Sequence, residues 1–215
     1  MGDLVSGRYP DYFNEYLLDG QPNPPYRTSI SRGDVTGQAL TGAATQTPYV
    51  VAVCAEPGDV FNYVSFGIGT LAGTAGSTSF VVVYSAVPTS SAAATVLAVS
   101  ATTTFTLGAN KILLSTPVVV SGTDYTPQGS APASVSNGPQ VLGVAIVETW
   151  TTSGSQFDGM SGGKAAFKGL IGSQIPLAGV SSGTVTSPPA VGASSGTTWS
   201  APSTGFLPYV ILSRQ

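Results

Sequence analysis

The chain has 215 residues, of which only seven are basic and ten acidic, 8% in all against roughly 25% in ordinary soluble domains. It has no histidine and one cysteine, Cys54, which excludes an imidazole base, a histidine metal site, a disulfide framework and a cysteine zinc cluster. The formal net charge of −3 argues against nucleic acid as a partner, because phosphate binding needs clustered Lys and Arg.

Hydrophobic residues make up 42% of the chain, enough to bury a core and too many for a disordered polymer. A soluble monomer normally coats itself in charge. This sequence uses Ser, Thr and Gly instead, which suits a β-rich domain in an assembly whose neighbours cover part of its surface.

Met1-Gly2-Asp3-Leu4-Val5 has neither the basic start nor the apolar stretch of an export signal, so synthesis in the cytosol is expected. Apolar runs such as Tyr49 to Ala55 fall far short of the roughly 20 residues a membrane helix needs. Membrane insertion is therefore not expected.

Residues 1–34 hold eight of the seventeen charges and five aromatic residues: Tyr9, Tyr12, Phe13, Tyr16 and Tyr26. Pro10 to Leu18 is expected to form a short helix. Pro10 suits its first turn, Asp11 and Glu15 lie near its positive end, and Gly20 stops it. Tyr12/Tyr16 and Phe13/Leu17 are i,i+4 pairs on adjoining faces. So short a helix is unstable alone, and its aromatic side must pack on something. Pro22, Pro24 and Pro25 then extend the chain. Residues 1–45 are assigned to an N-terminal docking arm, and 46–215 to one β domain.

From residue 46 the pattern is β. Tyr49 to Ala55 is a Val-rich strand, followed by a Pro57-Gly58 turn. Val60 to Ile68 alternates, with Val60, Asn62, Val64, Phe66 and Ile68 on one face and Phe61, Tyr63, Ser65 and Gly67 on the other. Strands are expected at Phe80 to Ala86, Thr95 to Val99 and Thr103 to Leu107. Ile112 to Leu114 and Val118 to Val120 flank Pro117, which marks a bend or an edge strand. Thr126 to Pro139 reads as a loop, and Gln140 to Trp150 as the longest strand. Phe157 to Gln174 is Gly-rich and ambiguous. Ser181 to Ala201 is dominated by small and turn residues, and Phe206 to Leu212 closes the chain. Eight to ten short strands with turns between them point to a β-sandwich or barrel.

Several motifs fail on chemistry. Gly159-Met160-Ser161-Gly162-Gly163 fits a nucleophile elbow, but no histidine is available as its base. Gly67-Ile68-Gly69-Thr70-Leu71-Ala72 follows a strand yet lacks the helix that would receive a pyrophosphate. Gly162-Gly163-Lys164 is followed by Ala165 and not by Ser or Thr. Arg32-Gly33-Asp34 sits where a Gly turn is expected. Asp158 with Asp124, or Glu56 with Asp59, could pair for glycoside hydrolysis or Ca²⁺, but all four lie in turn-like contexts where Asp is common for backbone reasons. No metal site or cofactor is expected. Cys54 is expected to be a buried, inert thiol. Trp150, Trp199 and Tyr125 could line a glycan-binding surface, although aromatic residues in a β domain more often belong to core or interface.

The order Tyr49-Val50-Val51-Ala52-Val53, Pro57-Gly58-Asp59-Val60, Val64-Ser65-Phe66, then Phe80-Val81-Val82-Val83-Tyr84 resembles a known family. It is similar to the jelly-roll domain of minor tail and virion-surface proteins of tailed phages that infect actinobacteria. Gln140 to Val144, Leu177 to Val180, Pro188-Pro189 and Phe206 to Val210 extend the resemblance over about residues 46–213. The resemblance implies an all-β fold, an antiparallel jelly-roll β-sandwich; the residues before it add the expected extended N-terminal arm with one short helix. It implies a structural virion component without enzymatic activity, a minor tail protein or a capsid-surface decoration or fibre protein. The expected assembly is a homotrimer, made in the host cytoplasm and located in the virion. Tyr9, Tyr12, Phe13, Tyr16 and Leu17 are the expected docking residues for capsid or tail proteins. The alternative expectation is a phage adhesin that recognises a host-envelope glycan through Trp150, Trp199 and Tyr125.

Overall fold

The computed structural model describes residues 26–29, 36–39, 45–71, 76–120, 140–161, 178–196, 198–200 and 206–215, and these described residues form thirteen strands and no helix. In chain order they are β1 (Tyr26–Thr28), β2 (Thr36–Ala39), β3 (Tyr49–Ala55), β4 (Val60–Thr70), β5 (Phe80–Tyr84), β6 (Val96–Val99) and β7 (Gly108–Val119). Then come β8 (Gln140–Val147), β9 (Gln156–Ser161), β10 (Ala178–Ser181), β11 (Trp199–Ser200), β12 (Phe206–Pro208) and β13 (Val210–Ser213). The expected helix from Pro10 to Leu18 lies outside the described residues.

The strands form two antiparallel sheets. The six-stranded sheet runs β11-β10-β3-β8-β5-β6. The seven-stranded sheet runs β1-β13-β4-β9-β12, with β7 also on β4 and β2 also on β9. Residues 26–39, assigned to the arm on sequence, thus contribute β1 and β2 to this sheet.

One buried cluster joins the sheets in a sandwich-like arrangement. Tyr49, Val51 and Val53 of β3 and Val144 and Ile146 of β8 meet Val64, Phe66 and Ile68 of β4 and Val210 and Leu212 of β13. The ring of Phe66 packs edge-on against Phe105, 5.0 Å between centroids, and lies 5.6 Å from Phe157. The Tyr49 hydroxyl crosses the core and donates to the carbonyl of Phe206. Burial pushes its pKa up, so it stays a neutral donor.

A second cluster lies on the far side of the six-stranded sheet. Val50, Ala52, Phe80, Val82, Ala145 and Val147 face outward there and are covered by Val87, Ala94 and Trp199. This explains the composition of β3, β5 and β8: strands buried on both faces read as continuous apolar runs, not as alternation. Gly143 in β8 is part of the device. A Cβ there would stand 2.5 Å from the Ala86 carbonyl oxygen, so only glycine lets the covering loop press against the sheet.

The seven-stranded sheet alternates instead, as expected for a sheet with one open face. One detail corrects the expected alternation of β4. The register with β7 shifts between Phe61 and Tyr63, and Phe61 joins Val64 in the core while Val60 and Asn62 do not. The irregularity lies opposite β7 residues 114–117, which include Pro117, so bend and edge strand are one feature. The expected strand from Thr103 to Leu107 is not formed; only Thr103 makes a bridge, to Ser79, while Phe105 fills the core.

Candidate functional site

The chain enters the sheets at β1, and this entry point is firmly held. Arg27 forks onto Asp59, with Nε 2.7 Å from one carboxylate oxygen and Nη2 3.1 Å from the other. Nη2 also donates to Glu56 at 3.0 Å. Burial alone would lower the Arg27 pKa, but the hydrogen bond and charge of Asp59, with help from Glu56, raise it overall. The two acids reach it through the Pro57-Gly58 turn, where Gly58 takes φ +91° and the Glu56 N–H donates to Asp59 at 2.8 Å. Ser29 adds a second clamp: its hydroxyl donates to the Pro208 carbonyl at 2.7 Å and accepts the Val210 N–H at 2.9 Å. Glu56 and Asp59 therefore do converge, but around a guanidinium.

The second concentration of polar groups is the turn from β8 to β9. Glu148 is buried, and its carboxylate accepts the Ser155 N–H at 3.0 Å and the Ser155 hydroxyl. Burial raises its pKa, against the opposing pull of the two Ser155 hydrogen bonds. Three segments are stitched together here. Gln46, at φ +61°, donates its N–H to the Glu148 carbonyl at 2.7 Å. The Thr149 N–H donates to the Ser79 hydroxyl at 2.9 Å, and the Trp150 N–H to the Thr45 hydroxyl at 2.9 Å. Trp150 Nε1 and Glu148 Oε2 both lie against Gly154. The Trp150 indole is half-buried, and the Glu148 carboxylate beside it is buried and engaged by Ser155.

The aromatic residues expected at a glycan surface are placed differently. Trp199 is buried in the outer cluster. Its ring meets Tyr84 edge-on at 5.9 Å and its indole N–H donates to the Ser195 carbonyl at 3.2 Å, so its faces are used in packing. Burial pushes the Tyr84 hydroxyl up to about 12. Trp150 is half-buried. Tyr125 lies outside the described residues, as do Tyr9, Tyr12, Phe13, Tyr16, Leu17, Asp124 and Arg32 to Asp34. Sequence reasoning missed Glu148, whose signal is a lone charge closing the run Val144-Ala145-Ile146-Val147.

A scan against protein-family models finds no match to the chain, and neither does a search of curated proteins. The site is therefore judged on its own residues. Gly159 to Ser161, the described part of the serine motif, lie within β9 between β2 and β12. A Cβ on Gly159 would stand 2.2 Å from the Leu207 carbonyl oxygen, so that glycine serves strand packing. Gly67 to Thr70 lie within β4. Among the described residues no group of three or more His, Cys, Asp or Glu could hold a metal ion, and no helix is long and apolar enough to cross a membrane.

Cys54 corrects an expectation: it is exposed. It follows Val50 and Ala52 on the outer face of β3, where the covering loops no longer reach. Protein around the thiol still raises its pKa, against the pull of Arg27 in the other direction.

Proposed function

We propose that the chain is a structural virion component of a tailed bacteriophage, a minor tail protein or a capsid-surface decoration or fibre protein. Its β domain follows jelly-roll connectivity, assembles as a homotrimer and acts by contact instead of catalysis. Tyr9, Tyr12, Phe13, Tyr16 and Leu17 of the arm insert into a groove on a capsid or tail protein of the same particle, in the helix-in-groove manner. Three arms on one trimer bind with an avidity well above that of one.

The observation that carries this reading is how little charge the domain presents. Arg27 pairs with Glu56 and Asp59, which leaves one net negative charge for the three, and Glu148 is buried against Ser155. Over the rest of the described surface only Lys111, Asp158 and Arg214 remain. A surface of Ser, Thr and Gly carries little like-charge repulsion and little desolvation cost, so it favours contact with identical copies.

The test is deletion of residues 1–25, which stops short of β1. The truncated protein should fold and trimerise yet fail to join particles. Normal occupancy of particles by the truncated chain sinks the docking role. Copy number in purified virions then separates head from tail: sixty or more copies in icosahedral array mean head, and three or six at one vertex mean tail. The second reading, a glycan-binding adhesin, rests on Trp150 beside Glu148. Under it, Trp150→Ala should abolish binding to host-envelope glycans, and a glycan array without a hit on the native protein removes it.

A further inference from the structure

The outer face of the seven-stranded sheet is apolar over one half. Residues paired across antiparallel strands share a face, and the pairings place Tyr26, Ser213, Tyr63 and Leu113 in one row across β1, β13, β4 and β7. Leu113 is 60% exposed, and so is Val119, which pairs with Val60 further along β7. Lys111 reaches over the Tyr63 ring, 4.4 Å from its centroid. Lys111 is thus the cation that the described strands place on this half. Among the described residues the acid on this face is Asp158, at the other end, where its carboxylate sits over Gly67.

The chain that precedes this face fits it in length, polarity and charge. Tyr26 is itself in the row, so residues 1–25 begin at the edge of the apolar half. From β1 to β7 is three strand spacings, about 14 Å. Five extended residues span about 17 Å, and Tyr16 lies ten positions before Tyr26. Residues 1–25 carry Tyr9, Tyr12, Phe13, Tyr16 and Leu17, and their charges are Asp3, Arg8, Asp11, Glu15 and Asp19, a net −3 opposite Lys111.

We propose that the occupant of this face is the chain's own N-terminal segment. Tyr12 and Tyr16 cover Tyr63 and Leu113, and Asp11 and Glu15 lie beside Lys111. The contact is a property of the free chain and does not depend on the virion reading. Where both hold, they use the same side chains, so the arm must leave its own sheet before it docks. The cover then keeps unassembled protein from sticking through its arm or its open sheet.

The test uses the full chain with Cys54→Ser and two added cysteines, Tyr16→Cys and Leu113→Cys, oxidised at low protein concentration. The expected product is a disulfide-linked monomer, formed faster than in a control that carries Val191→Cys in place of Leu113→Cys. Covalent dimers as the main product overturn the proposal, because the face then belongs to a second copy. Linkage no faster than the control overturns it too. A second measurement needs no cysteine: chymotrypsin should cut residues 1–25 about tenfold faster in a Leu113→Asp, Val119→Asp variant than in the native chain, since cleavage follows the uncovered fraction. Equal cleavage rates overturn the proposal. Neither result depends on virion incorporation, so failure here and failure of the docking role are separable.

Discussion

Val50, Val82 and Val147 on the six-stranded sheet, and Tyr63, Leu113 and Val119 on the seven-stranded sheet, all point away from the shared core, yet only the first three are fully buried. The six-stranded sheet is covered by its own chain, by Val87 and Ala94 from its loops and Trp199 from the edge strand β11. No described loop does this for the other sheet. A domain with so few charges thus keeps one apolar sheet face dry within itself and presents a second one outward.

The sharpest way to break this contrast is to truncate one side chain on each face. Phe80 is fully buried on the covered face, and Phe80→Ala should cost about 3–5 kcal/mol through lost transfer energy and a cavity. Leu113→Ala, made in a chain lacking residues 1–25, should stay within about 0.5 kcal/mol of its parent. Urea denaturation of both measures the pair. Similar losses would mean that the open face is covered by something else in the folded domain.

Arg27→Met tests the edge of the open sheet. It leaves Asp59 nearly buried without its cation, and loss of one member of such a pair costs about 3 kcal/mol. The loss should appear as early unfolding of β1, read by hydrogen exchange at Ser29, whose N–H donates to the Val210 carbonyl, and it should persist in high salt. A change no larger than that of an exposed ion pair would place the strength of this edge in the β1–β13 ladder alone.

Which of these features the sequence carries follows from burial. β3, β5 and β8 are legible because two-sided burial leaves them apolar throughout. β4 is legible except near Asn62, where a register shift set by its partner strand decides which side chains turn inward. β1 and β2 have no local signal: Tyr-Arg-Thr and Thr-Gly-Gln-Ala are held by ladder bonds to β13 and β9, far away in sequence. Thr103 to Leu107 has strand composition but lacks a partner strand. The polar groups divide the same way. The Pro57-Gly58 turn that presents Glu56 and Asp59 is local and was expected, whereas their cation comes from 29 and 32 residues away.

Gly143→Ala sharpens the comparison from the covered side. The added methyl would meet the Ala86 carbonyl oxygen and a Val50 methyl group, so the loop must lift or the sheet must bend. Overpacking of this kind costs about 1–3 kcal/mol. Faster hydrogen exchange at Ser85, whose N–H donates to the Thr95 carbonyl, should accompany the loss. If stability falls while that exchange is unchanged, the strain has gone into the inter-sheet core and the cover is not what glycine protects.

The smallest effect concerns the link between the two sheets, where Glu148 after β8 holds Ser155 before β9. Its folded pKa lies above the ordinary glutamate value of 4.5 because burial disfavours the charged carboxylate. Below 4.5 both folded and unfolded chains hold the proton, and the group exerts no pH-dependent penalty. As pH rises through 4.5 the unfolded chain releases its proton first, so the folded state loses stability until its own, higher pKa is passed. Glu148→Gln removes this titration. The stability of the native chain relative to the variant should therefore be more favourable at about pH 4 than at about pH 7. The two hydrogen bonds from Ser155 work against the effect of burial and reduce it. A native-minus-variant difference that is flat across this range would mean that Ser155 compensates the burial in full, and that the link between the sheets carries its charge without penalty.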